Sequence, residues 1–517
     1  MNAQAASTPT PFTPPGQFLW GVATSAYQSE GGYNGKNQPQ TNWAAWEVLG
    51  YAMRSGRAAD FWSRFEEDFE TCHRMGLNAF RMSVEWSRIQ PTHVNYKSAP
   101  PAFDHQALDH YAAMLAACRR AGLEPLLTLH HFVHPAWLGT NAWLKEHIPG
   151  LFASYVRETV LRLNQTLTDK YGLAPVTFYV TINEPNTLLI NTYLSRLFPS
   201  RPFGGVRRML RAAGHMMAAH VLAYNAIHDL HESQGWPTPA VTLNNYCTDL
   251  YWSDFVFLDL LAFREREIAA RDLQDYLHSK AIAFEKRLNQ DPRRLAPGLM
   301  PRLGELLRRF MMKRGFLQFD PQPLEPFLRE GERSPRARFL DYLALDYYDP
   351  FTAHLLRTPS FGDIEIANHS LGARLMSSVT SKWWDWHVLP EGLGLFCRHY
   401  SEAFGGRPVL IAENGMALRR KKNNQTSRRR DRVTRSEYLR AHIEQVVRLT
   451  ESGVPVFGYM HWSLFDNYEW GTYTPRFGLF SLDYTKGTNR LAEDHLGDRP
   501  SETYAELIAN ARRRMDR

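Results

Sequence analysis

Short apolar runs and longer amphipathic stretches alternate along most of this chain. The run FLWGVAT at 18–24 reads as a strand. The stretch DFWSRFEEDFETCHRMG then sets Phe61, Phe65, Phe69 and Cys72 at near-helical spacing and stops at Gly76. Further strands are predicted at 79–84, 125–131, 176–184, 240–245, 342–348, 408–414 and 455–462. Between them, Asp104 can cap a helix carrying Leu108, Tyr111, Leu115 and Cys118, and helices are predicted over 152–171 and 207–233. A last helix places Leu439, Ile443, Val446 and Leu449 on one face. Eight strand candidates with helices between them predict an α/β protein with a parallel sheet covered by helices. That count favours a single closed (β/α)8 TIM barrel over an open doubly wound sheet. No glycine-rich phosphate loop follows the first strand, which weakens the nucleotide-binding alternative.

Two segments break the alternation. Residues 250–340 are long, helical and basic, and 349–390 form a long connection after the sixth strand. Both are candidate loops on the active face. The expected organisation is a flexible Pro/Thr-rich leader over 1–15 and one barrel domain over 16–517, with an atypical insertion at about 250–340. At 517 residues, 44% of them hydrophobic, there is ample material for one large core.

The charge balance narrows the partners. Lys plus Arg number 60 and Asp plus Glu 53, a net charge of +7, gathered in clusters such as RRKKNNQTSRRRDR at 419–432 and RRMLR at 207–211. No helix-turn-helix, zinc-finger or RNA-binding signature accompanies them, so solvated loops are expected rather than a nucleic-acid site. Cys72, Cys118, Cys247 and Cys397 are widely spaced and imply free, buried thiols in a reducing compartment. The chain start lacks the features of a signal peptide, and no apolar run reaches membrane-spanning length. A cytoplasmic location is expected, with peripheral membrane contact not favoured; the sequence leaves the oligomeric state open.

The candidate chemistry lies where strands finish. Gln28 and Glu30 follow the first strand, Arg81 lies in the second, and His130 and His131 end the third. Asn183 and Glu184 end the fourth, Asp346, Tyr347 and Tyr348 the sixth, Glu413 and Asn414 the seventh, and His461 and Trp462 the eighth. In a barrel these ends meet on one rim, where barrel chemistry is carried out. No metal-ligand spacing or nucleophile elbow is present, and neither a metal nor an organic cofactor is expected. Two carboxylates among aromatic and neutral hydrogen-bonding side chains suit glycosidic-bond cleavage. On these grounds alone, a barrel enzyme of other chemistry remains equally open.

The motifs carry further. FLWGVATSAYQSEGG, FRMSVEWSRIQP, LTLHHF, TINEPN, LDYYDP, WDWHVLPEGL, IAENG and WSLFDNYEWGTYTPRFGL occur in this order along nearly the whole chain. Together they resemble glycoside hydrolase family 1, the β-glucosidase and β-galactosidase family. The resemblance implies Glu184 as general acid/base and Glu413 as nucleophile of a retaining mechanism, with carboxyls about 5 Å apart. It implies Arg81 beside the nucleophile, holding its pKa down, and Tyr348 hydrogen-bonded to the same carboxylate. It further implies that Gln28, His131, Asn183 and Glu469 bind the sugar together with Trp462, Trp470 and Phe477, and that Trp386 is an aglycone platform. The implied substrates are small β-glycosides: glucosides, with galactosides or fucosides beside them. A transglycosylase on the same site is the alternative. A non-catalytic sugar-binding barrel is disfavoured, because the catalytic set is complete. Glu469 argues against 6-phosphorylated sugars.

Three departures stand out from the resemblance. Phe132 replaces the usual Trp, Asp346 replaces an amide, and the loop before Phe477 is one residue short. His130 and His134 are expected to be structural.

Overall fold

The computed structural model describes residues 12–92, 100–195, 197–200, 205–290, 299–352 and 383–515. Eight parallel strands form a closed barrel in which each pairs with its sequence neighbours and the first closes on the last. They are β1 (Leu19–Ala23), β2 (Ala79–Ser83), β3 (Glu124–Thr128), β4 (Phe178–Asn183), β5 (Ala240–Tyr246), β6 (Leu343–Tyr347), β7 (Val409–Asn414) and β8 (Val456–Trp462). The predicted strands are all present, although β3 stops at Thr128, short of the two histidines expected within it. Leu129 and His130 still exchange backbone hydrogen bonds with Val180 and Asn183 of β4, and the chain then turns through Phe132, whose φ is 66°.

Strand alternation separates two cores. Leu19, Ala23, Ala79, Leu126, Phe178, Leu410 and Phe457 face the barrel interior. Trp20, Val22, Phe80, Met82, Leu127 and Tyr179 face the helices instead. Helix Phe61–Arg74 buries the expected Phe61, Phe65, Phe69 and Cys72. Helix His105–Arg120 buries Leu108, Tyr111, Leu115 and Cys118, and the Asp104 carboxylate accepts from the Gln106 and Ala107 amides. The four cysteines are buried and free.

The anchored chain begins earlier than the sequence suggests, at Phe12 within the expected leader. The ring of Phe12 lies 5.4 Å from Phe457, 5.5 Å from Tyr342 and 6.0 Å from Phe178, plugging the N-terminal end of the barrel. Residues 1–11 of the expected leader, and 353–382 of the long connection, fall outside the described residues.

The basic run at 419–432 is not simply a solvated loop. Arg429 is buried and donates to the carbonyls of Trp384 and Trp386 at 2.7 and 2.5 Å, pinning the tryptophan loop over the barrel mouth. Residues 250–340 are helical as expected, with helices Phe255–Leu261, Leu273–Asn289, Leu299–Gln318 and Glu325–Arg333. Among the described residues, no helix is long and apolar enough to cross a membrane.

Candidate active site

The barrel mouth opens into a cavity of about 380 Å³ lined by Glu184, Glu413, Asn183, His131, Tyr348, Trp386, Trp462, Glu469, Trp470 and Phe477. Asn183, Glu184, Tyr348, Glu413 and Trp462 come from separate strand ends, brought together by barrel closure, while Trp386 comes from the loop after β6 and Glu469, Trp470 and Phe477 from the segment after β8. Glu184 sits just past β4, before helix Pro185–Tyr193, in a left-handed backbone conformation with φ 39°. Trp470, with φ 41°, shares that unusual state. After Asn414, any side chain at Gly415 would collide with the Trp462 carbonyl oxygen, so only glycine lets β7 exit against β8.

Arg81 organises the floor. Its Nη1 donates to Glu413 Oε1 at 2.7 Å and to the Ala412 carbonyl at 3.1 Å. Its Nη2 donates to Asn183 Oδ1 at 2.5 Å, and its Nε to Thr128 Oγ1 at 3.1 Å. Tyr348 donates its hydroxyl to Glu413 Oε2 at 2.9 Å. Asn244, at the end of β5, donates to Asn183 Oδ1 at 2.9 Å and to Asp346 Oδ2. With its carbonyl held twice, Asn183 leaves its buried Nδ2 without a hydrogen-bond partner.

Glu184, Asp346 and Glu413 each bring a carboxylate oxygen to within 4.8 Å of the other two. Three buried negative charges around one guanidinium cannot all persist. Burial and the neighbouring Glu413 push Glu184 up to about 8. Burial, then Glu413 and Glu184, push Asp346 well above the usual carboxylate range. Glu413 is also raised by burial, while Arg81 and the Tyr348 hydrogen bond pull the other way. Arg81 thus pulls the Glu413 carboxyl down, as expected of it, but desolvation outweighs the pairing and the net shift is upward. The order of ionisation still favours Glu413, since it alone of the three has both a guanidinium and a phenol bonded to its oxygens.

On the opposite wall, Glu469 accepts from Gln28 Nε2 at 2.9 Å and from Trp462 Nε1 at 3.1 Å. Burial pushes its carboxyl well up. Gln28 therefore reaches the cavity through Glu469. His131 is stacked between Trp462 and Trp470, with ring centres at 5.8 and 5.7 Å, and burial beside Arg81 keeps it neutral. The Phe132 ring packs against Trp470 at 4.7 Å.

Other strand-end groups are structural. His130 packs edge-on against Trp143, His134 meets the Gly139 carbonyl, His461 lies against Tyr504, and Glu30 pairs with Arg88. Sequence reasoning missed Asn244, which ties Asn183 to Asp346, and Thr187, Tyr246 and Phe198, which also line the cavity. The polar pair closing strand 240–245 was the one available signal for Asn244. Among the described residues, no lysine or arginine lines the cavity.

Comparison with known proteins adds to this picture. A family model described as "Glycosyl hydrolase family 1" matches residues 11–245 and 309–509. The bifunctional β-D-glucosidase/β-D-fucosidase of Bifidobacterium breve is 27% identical over 497 residues, covering 91% of this chain and 94% of that protein. A 6-phospho-β-galactosidase of Streptococcus equi subsp. zooepidemicus is 25% identical over 487 residues, covering 91% and 94%. The structure of the β-glucosidase from Thermotoga maritima in complex with noeuromycin superposes with a TM-score of 0.66 at 22% identity, covering 97% of this chain and 99% of that one.

Proposed function

The chain belongs to glycosyl hydrolase family 1, and from that premise we propose that it is a retaining β-glycosidase cleaving terminal β-D-glucosides, with β-galactosides or β-fucosides as further substrates. The observation that carries this reading is the Glu184 and Glu413 pair, with oxygens within 4.8 Å and unlike proton affinities. A separation near 5 Å leaves room for a covalent intermediate and none for a water between sugar and base.

Glu413 attacks the anomeric carbon while Glu184 gives its proton to the departing aglycone oxygen, so the glycosidic C–O bond breaks as the glycosyl–Glu413 ester forms. The ester cancels the charge on Glu413 that helped raise Glu184, so Glu184 becomes a stronger acid and holds its charge. It then takes a proton from water, whose oxygen attacks the anomeric carbon and frees Glu413. The unpaired Nδ2 of Asn183 is a donor for a sugar hydroxyl, and Glu469 with Gln28 offers a donor–acceptor pair to the far side of the ring. Stacked Trp462 and Trp470 supply apolar faces. The lack of a lysine or arginine in the described lining supports an unphosphorylated sugar. Burial pushes the Glu469 carboxyl well up, which weakens its charge as an obstacle to a phosphate.

A panel of aryl β-glycosides tests the reading. Glu413→Ala should abolish turnover. Glu184→Ala should spare activated leaving groups, and azide should restore activity as a β-glycosyl azide. An α-azide product would rule out double displacement with retention.

A further inference from the structure

A second cavity, of about 310 Å³, lies between helices Pro185–Tyr193, Val206–Gln234, Phe255–Leu261 and Leu299–Gln318. Its walls are almost wholly apolar, with Leu189, Met209, Leu210, Phe257, Leu260 and Phe310 among them. Asn186, Ile190, Leu250, Ser253 and Met311 line both this cavity and the catalytic one, so the two adjoin. The polar groups at the junction are already engaged. Asn186 Nδ2 donates to the carbonyls of Tyr246 and Ser253, and Ser253 Oγ donates to the Leu250 carbonyl. Water entering such a space would find few partners, whereas hydrocarbon would lose nothing there.

Helix Leu299–Gln318 carries the apolar character outward. Leu299, Leu303, Leu306 and Phe310 recur at steps of four, three and four, and are 70%, 42%, 63% and 57% exposed. Its inner side instead buries Glu305 and Arg308, which are paired with each other, and Arg308 also pairs with Glu285. The helix thus wears its apolar stripe to solvent, and the stripe leads at Phe310 and Met311 into the cavity. The family match omits 246–308, so much of this wall belongs to the chain's own insertion.

We infer that this cavity is a subsite for a linear alkyl chain on the aglycone, making β-glycosides of long-chain aliphatic alcohols the preferred substrates. The inference rests on the β-glycosidase reading and names the substrate class of that same site. An aglycone leaving the Glu184–Glu413 pair past Ile190, Leu250 and Met311 enters the apolar space directly. At roughly 30 Å³ per methylene-sized group, the cavity holds on the order of ten of them.

The test is a series of alkyl β-glucosides from methyl to dodecyl, each below its micelle threshold. Full burial of a methylene corresponds to about a fourfold gain, so kcat/KM should climb steeply with length and level off near ten carbons. Phe310→Asp and Val206→Asp, both at partly exposed wall positions, should each lower the decyl-to-methyl ratio of kcat/KM at least tenfold. A flat series with brisk turnover of short glucosides would overturn the alkyl subsite and leave the glycosidase reading standing. Calorimetry with non-hydrolysable methyl and octyl 1-thio-β-glucosides reads the subsite even in a chain that turns nothing over. Tighter octyl binding, weakened by Phe310→Asp, supports it, and equal affinities refute it.

Discussion

Replacing Tyr348 by Phe isolates how the site keeps Glu413, the proposed nucleophile, charged. The phenol donates to Glu413 Oε2 at 2.9 Å, and both partners are buried. A hydrogen bond to a charged acceptor is worth about 1.5–3 kcal/mol. Tyr348→Phe removes it without changing the shape of the ring, and Glu413 keeps only Arg81 to offset its burial. At about 1.4 kcal/mol per pH unit, the acid limb of kcat/KM should move toward neutrality by about one to two pH units. The sign follows from the proposed role: a nucleophilic Glu413 would attack only when ionised, and losing a donor to its carboxylate favours the protonated form. The alkaline limb, set by loss of the Glu184 proton near pH 8, should shift much less, so the profile narrows from one side. Because the carboxyls titrate together, each limb reports the site rather than one residue. The assay is kcat/KM for 4-nitrophenyl β-glucoside between pH 4 and 9, for parent and variant. A variant that loses rate with an unmoved acid limb would refute the reasoning and make Tyr348 a packing residue.

Asp346→Asn should preserve the neutral-pH rate within about threefold, because the buried carboxyl is already protonated and an amide can accept from Asn244 and donate toward Glu184. Its stability effect has a definite sign: the folded pKa is raised, so the parent loses stability as pH climbs from about 4 toward that value, at up to about 1.4 kcal/mol per pH unit. Thermal melts of the two proteins should therefore coincide at pH 4 and diverge in favour of Asn by pH 7; parallel melts would contradict the buried neutral carboxyl. Phe12→Ala removes a half-buried ring from the barrel floor and should lower urea stability by about 1–3 kcal/mol. An unchanged urea midpoint would mean that Phe12 rests on the floor without closing it.

What could be read from the sequence follows from what a linear pattern encodes. Strand and helix periods report which face is buried, so Phe61, Phe65 and Phe69 were assigned to a core face without knowing what they packed on. Barrel topology then turns strand ends into one rim, which is why Glu184 and Glu413 could be paired across more than two hundred residues. Asn244 escaped because the polar pair closing strand 240–245 marks a strand end without saying that one amide will tie Asn183 to Asp346. The left-handed conformations of Phe132, Glu184 and Trp470 have no glycine to announce them and are imposed by the surrounding packing. Arg429 was hidden in a basic run whose net charge says solvent, yet two carbonyls hold it inside.

Helix Leu299–Gln318 shows the same limit from the other side. Its periodicity announces an amphipathic helix but not which face turns inward, and the usual assumption would bury Leu306 and expose Arg308. The buried Arg308 is paired with Glu305 and Glu285, so the polar face is satisfied inside and the apolar face is left outside. Breaking such a pair from one side strands a charge in the interior. The helix is therefore held in this orientation by its ion pairs, and the exposed leucines are a consequence of that choice. Ionisation order in the catalytic cavity is decided similarly. Three carboxyls of nearly equal intrinsic acidity are distinguished chiefly by where Arg81 and Tyr348 place their hydrogens, a fact of geometry that no spacing of residues along the chain can express.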